Sequence, residues 1–170
     1  PTLPQSLLDS LDRQPPDKGV MLYKVGDTWE SITARELLRR IAGLSRALAD
    51  LGVKACDRVG LFSANRPEWH IADFAIVGLG AINVPIYFNE SPERIAYILN
   101  DCGAKVVISF GEEQARRLLG CRDRASAVEH IIVGAAQPNA PPDVLRYETL
   151  MASTSDACVT EYRRRAEQVT

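Results

Sequence analysis

The sequence predicts an α/β protein built around a mostly parallel sheet, and three observations predict it. Four β-prone runs, RVGLFS, INVPIY, KVVISF and EHIIVG, begin at roughly 24-residue intervals from Arg58 onward. Helical patterns fill the intervals, so the runs and their connections read as repeated βαβ units. Proline follows a polar residue where two of those helices should start: Asn65 or Arg66 before Pro67, and Ser91 before Pro92. Proline suits a first turn because the N–H it lacks would be unpaired there anyway.

The elements before the sheet follow from local signals. A helix comes first, then a hairpin, then a second helix. VMLYKV and TWESI are two β-prone runs around Gly26-Asp27, where glycine supplies the positive φ that a two-residue turn requires. Thr33 with Glu36 three residues on predicts a capping box, in which each side chain reaches an orphan backbone N–H at a helix start. Leu37, Ile41, Leu44, Leu48 and Leu51 then recur at spacings of four and three, an apolar stripe for core packing, and Gly52 ends the helix. Ile95, Ile98, Leu99 and Cys102 give the second crossover helix its own apolar face, with Gly103 as its stop. Three regions are expected: 1–55, the helix, hairpin and capped helix; 56–134, the βαβ sheet; and 135–170, the loop AAQPNAPPD and a helical tail carrying EYRRRAEQ, with no closing strand.

Composition narrows the functions. The chain has 170 residues, 46% of them hydrophobic, which is enough for one good core. A formal charge of −2 gives no broad positive field for nucleic acid or anionic membrane. No run approaches the length of a transmembrane helix, and no leader pattern opens the chain, so a cytoplasmic location is expected. Cys56, Cys102, Cys121 and Cys158 form no CxxC pair and have no His at ligand spacing, which predicts free thiols and no structural zinc.

GLGAIN, from Gly78, looks like a dinucleotide loop but stands in the wrong context. A phosphate-binding GxGxxG follows a strand and opens a helix, so that N–H groups point at the anion. Here the glycines end a helix and precede a strand, and Asn83 stands at the third glycine position. Gly80 reads as a helix C-cap and Gly78 as a close approach of helix to sheet. No GxxxxGK[ST] occurs, and neither His70 nor His130 sits beside a nucleophile in a recognisable motif.

ANRPEWHIADFAIVGLGAINVPIY followed by SPERIAYILNDCGAKVVIS resembles the N-terminal part of the acyl-activating, adenylate-forming enzymes of the AMP-binding superfamily, and most of all their long-chain fatty-acyl-CoA synthetase branch. TWESITARELLRRIAGLSRALADLGVKACDRVGLFSAN resembles the opening run of strand, helix and first sheet strand, so the likeness covers roughly residues 5 to 135. Cys56 departs from it, because such enzymes commonly have glycine before the Asp-Arg-Val run.

The resemblance implies a two-step ligase using ATP, magnesium and CoA: a fatty acid carboxylate attacks the α-phosphate to give acyl-AMP, and the CoA thiol then displaces AMP. The family's phosphate loop would come after Thr170, so no catalytic residue transfers to this sequence. The chain is therefore expected to be an inactive N-terminal scaffold whose partner is the remainder of the same polypeptide. The rival expectation is a self-contained α/β ligand- or protein-binding module. Arg116 and Arg117 are candidates for CoA phosphates in the full-length enzyme, since paired guanidiniums suit that anion. The alternative is a solvated helix face beside Glu112 and Glu113.

Overall fold

The computed structural model describes residues 1–134 and 140–170. Helix α1 (Leu3–Asp12) leads into a hairpin of β1 (Gly19–Val25) and β2 (Thr28–Thr33), and α2 (Ala34–Asp50) follows. Strand and helix then alternate: β3 (Arg58–Ser63), α3 (Pro67–Val77), β4 (Ile82–Ile86), α4 (Pro92–Cys102), β5 (Val106–Phe110), α5 (Glu112–Leu119) and β6 (His130–Gly134). Last come a two-residue β7 (Leu145–Arg146), α6 (Tyr147–Met151) and α7 (Asp156–Ala166).

The sheet runs in the order β4-β3-β5-β6-β7, and every adjacent pair is parallel. Strands buried on both faces need apolar residues at successive positions, which is why VVISF is buried throughout. One face carries Val59, Leu61, Val106, Ile108 and Ile132 against α1, α2, α3 and α7. The other carries Phe62, Ile86 and Val107 against α4 and α5. The hairpin stands apart as its own antiparallel pair, closed by Gly26 at φ 58 with Val25 opposite Thr28.

Three helices stop the same way. Gly52, Gly80 and Gly103 each adopt positive φ, and the next residue donates back to the carbonyl five positions earlier: Val53 to Leu48, Ala81 to Ile76 and Ala104 to Leu99. This is the Schellman closure, which satisfies carbonyls that the helix leaves unpaired. The chain thereby turns sharply into the next strand each time.

Several expectations change in detail. Thr33 caps α2 by accepting from the Glu36 N–H at 3.2 Å, but the Glu36 carboxylate turns to Arg40 Nε at 2.7 Å, so only half the box forms. The face of α2 is wider than its stripe, because Ala42, Ser45 and Ala47 are buried as well. The tail explains this: α7 packs along α2, and Gly43 lies where a Cβ would come within 2.1 Å of Thr154 Oγ1. Gly78 approaches α7 and not the sheet, since a Cβ there would meet the Tyr162 ring at 2.2 Å. The tail also does have a strand, with β7 pairing parallel to β6 through Ile132 and Leu145. The first part of AAQPNAPPD, residues 135–139, lies outside the described residues.

Candidate functional site

A parallel sheet offers a binding crevice where neighbouring strands send their connections in opposite directions, at the carboxyl ends. Here that place lies between β3 and β5: the chain leaves β3 for β4 on one side, and β5 for β6 on the other. The segment Ala64–Arg66 leads from β3 to α3, and Gly111, at φ 102, turns β5 into α5.

Side chains from four elements meet there. Arg66 holds Glu68 with bonds of 2.8 and 3.3 Å and lies over the Phe110 ring at 5.6 Å. Phe110 meets Tyr147 edge-on at 5.0 Å, and Gly134 leaves room for its ring, because a Cβ there would come within 2.4 Å of it. The Tyr147 side chain, from α6, lines a cleft of about 400 Å³ with Glu36, Arg40 and Glu68. A second cleft, about 560 Å³, lies between the hairpin and the start of α3 and includes His70.

Burial is the largest influence on Glu68 and opposes its ionisation, but the Arg66 hydrogen bonds, Glu68's own backbone N–H and the charges of Arg66 and Arg40 together outweigh it and hold the carboxyl below its ordinary range. Burial pushes the Tyr147 phenol upward and the Glu68 charge adds to this, so it remains a neutral O–H. The cluster can thus donate a hydrogen bond and present fixed charges.

It is poorly arranged to receive a phosphate. The start of a helix attracts anions, and α3, α4 and α5 each fill that position with their own carboxylates: Glu68, Glu93, and Glu112 with Glu113. Glu93 is held below its ordinary range by its own backbone N–H, the Ser91 hydroxyl and Arg124. GLGAIN lies at the carboxyl end of α3, where carbonyl groups gather and repel an anion. Among the described residues, no three His, Cys, Asp or Glu side chains are grouped to hold a metal ion.

Arg116 and Arg117 both lie on α5, away from the Arg66 cluster, and share one carboxylate. Arg116 grips Glu113 with three contacts of 2.6 to 3.0 Å, and Arg117 reaches it at 2.8 Å. Arg117 also donates to the Asn89 and Glu90 carbonyls at 2.9 and 3.1 Å, fastening the loop after β4. His70 is exposed and packs edge-on against Trp69, and His130 opens β6. The joining of Arg66, Phe110 and Tyr147 escaped sequence reasoning. Arg66 and Glu68, two positions apart, were one available signal, but Tyr147 arrives from 37 residues after Phe110 (147 − 110) with no local pattern.

A family model described as AMP-binding enzyme matches residues 8–163. The long-chain-fatty-acid–CoA ligase FadD15 of Mycobacterium bovis is 33% identical over 130 residues, which cover 76% of this chain and 22% of that protein. The long-chain-fatty-acid–CoA ligase ACSBG1 of Bos taurus is 26% identical over 151 residues, 88% of this chain and 21% of that one. The chain therefore spans about a fifth of the length of these relatives. Among solved structures, the anthranilate CoA ligase AuaEII in complex with anthranoyl-AMP superposes with a TM-score of 0.73 at 28% identity, covering 87% of this chain and 28% of that one. Acetoacetyl-CoA synthetase from Streptomyces lividans gives 0.79 at 20% identity over 89% of this chain and 25% of its own, a likeness of fold.

Proposed function

The chain belongs to the AMP-binding enzyme family, and from that premise we propose that it serves a long-chain fatty acid–CoA ligase as its scaffold. In the proposed reaction the fatty acid carboxylate attacks the α-phosphate of ATP, forming acyl-AMP and releasing pyrophosphate. The CoA thiol, losing its proton, then attacks the acyl carbonyl, and AMP leaves. The observation that carries the reading is the ordered agreement over residues 8–163, with FadD15 the relative that supports the long-chain substrate.

The residues described here do not fit the triphosphate or its magnesium. Their helix starts hold carboxylates, and no acidic cluster converges on a cation position. No step of the chemistry is therefore assigned to them. Their part is to hold the β3–β5 edge of the crevice and its Arg66, Glu68 and Tyr147 cluster in place. In this reading the regions 1–55 and 56–134 serve as hairpin support and sheet, and residues 140–170 of the region 135–170 serve as a clamp. Contact of Arg116 and Arg117 with CoA phosphates would require breaking their pairs with Glu113. We read them as holding the loop after β4. A cytoplasmic location accords with the absence, among the described residues, of a helix long and apolar enough to cross a membrane.

Two measurements test this. Calorimetry of the 170-residue chain with ATP and magnesium should give no micromolar binding, and such binding would defeat the scaffold reading. The product of the complete reading frame should catalyse fatty-acid-dependent exchange of pyrophosphate into ATP. Absence of that exchange would remove the ligase reading.

A further inference from the structure

Another cleft among the described residues shares Arg39 in its lining with the Tyr147 cleft. It is a groove of about 680 Å³ between α1, α2 and α7, within the range of about 300–1,000 Å³ typical of small-molecule sites. Its floor is apolar: Leu11, Ala34 and Leu38 are buried, and Val159 lies beside them.

The rim carries three guanidiniums, and they are not equally engaged. Arg163 is committed to Asp12 by two bonds of 2.8 and 2.6 Å, which pull that carboxyl below its ordinary range and tie α7 to α1. Arg35 and Arg39 stand one turn apart on the same side of α2. Arg35 comes only to 3.5 Å from Asp17, and Arg39 only to 3.8 Å from Asp156. Both carboxylates are almost fully in water, at 86% and 95% side-chain exposure. Exposed pairs at such distances hold weakly, and neither guanidinium forms a side-chain hydrogen bond among the described residues. Two adjacent guanidiniums are thus free to turn toward another anion. Counting its lining residues, Arg35, Arg39 and Arg163 against Asp12 and Asp156, the groove carries one net positive charge (3 − 2).

An apolar floor beneath exchangeable guanidiniums matches one chemistry, an amphiphile with an anionic head. We propose that this groove binds a long-chain carboxylate, its tail along Leu11, Leu38 and Val159 and its carboxylate received by Arg35 and Arg39. The fork of each guanidinium matches the two carboxylate oxygens, which a lysine would not reproduce. The choice of a fatty carboxylate rests on the ligase reading above. The two fail separately, because pyrophosphate exchange tests the chemistry and direct binding tests the groove.

The test is titration of the 170-residue chain with dodecanoate below its micellar concentration, followed by methyl NMR. Saturable binding should shift the Leu38 and Val159 methyls first. The double variant Arg35→Ala/Arg39→Ala, which alters only partly exposed side chains, should keep its melting temperature and bind about tenfold more weakly or worse. Dodecyltrimethylammonium, with the same tail and the opposite head, should also bind at least about tenfold more weakly. Lack of saturable binding, shifts centred away from the groove, equal affinity in the double variant, or equal affinity for the cationic amphiphile would each overturn the proposal.

Discussion

Cys56 is the one described non-glycine residue with a positive φ, at 67°. The left-handed region costs an L-residue about 1–2 kcal/mol, and a glycine recovers most of that less the extra freedom it has when unfolded. Cys56 is exposed, so its side chain loses little burial on replacement. Cys56→Gly should therefore raise stability by about 0.5–1 kcal/mol in chemical denaturation. A neutral or destabilising result would mean that the thiol makes a contribution its exposure does not suggest. This position was legible beforehand: the sequence departs there from a family glycine, and the backbone supplies the reason. Glu68 gives a second test at this scale. Its carboxyl titrates in the folded protein below the ordinary glutamate value of about 4.3, so its contribution is complete above that pH and is lost as pH falls through the lower folded value. Glu68→Gln should cost stability near neutrality, and the gap from the parent should narrow below about pH 4. A gap that stays constant with pH would show that Arg66 does not stabilise the charge.

Among elements, α7 shows where sequence reasoning reached and where it stopped. EYRRRAEQ announced a helix, but nothing in its spacing said that Tyr162 would be buried against α3. That contact depends on a missing side chain 84 residues earlier (162 − 78), at Gly78. The Tyr162 hydroxyl completes the joint by donating to the Phe74 carbonyl at 2.9 Å. The Phe74 carbonyl keeps the bond it accepts from the Gly78 N–H at 3.0 Å, so Tyr162→Phe removes one hydrogen bond without orphaning the acceptor and should cost about 0.5–1 kcal/mol. Gly78→Ala should cost more, about 1–3 kcal/mol, because the ring or the helix must move to admit a methyl group. Thermal unfolding of the two variants checks both the order and the size. If Tyr162→Phe proved the worse, the hydrogen bond and not the fit would be holding α7. The strands and crossover helices were far more legible, because periodicity, proline starts and glycine stops are all written within a few residues of where they act. The Arg66, Phe110 and Tyr147 cluster has no such local record, since it exists only after β3, β5 and β6 have paired.

For the whole molecule, sheet order decides what remains open. β4 lies at one edge, and INVPI carries no charged residue to discourage a further strand. Ile82 is 49% exposed there. Pro85 removes one donor, but the rest of the edge can still pair. The isolated 170 residues should therefore self-associate at high concentration, and Ile82→Lys should reduce this in analytical ultracentrifugation without lowering the melting temperature. Unchanged association would place the sticky surface elsewhere, with the hairpin face of Leu22 and Trp29 as the next candidate. The joining of the first helix to the last has a different kind of consequence. α1 is fastened by Asp12 to Arg163 and by Gln5 to the Ala166 carbonyl, partners that lie 151 and 161 residues away. On a ribosome adding about 5–20 residues per second, α1 emerges roughly 8–30 s before those partners exist. For that interval Leu8 and Leu11 have only part of the surface that finally covers them, so the nascent chain offers a chaperone its first helix until the tail is made.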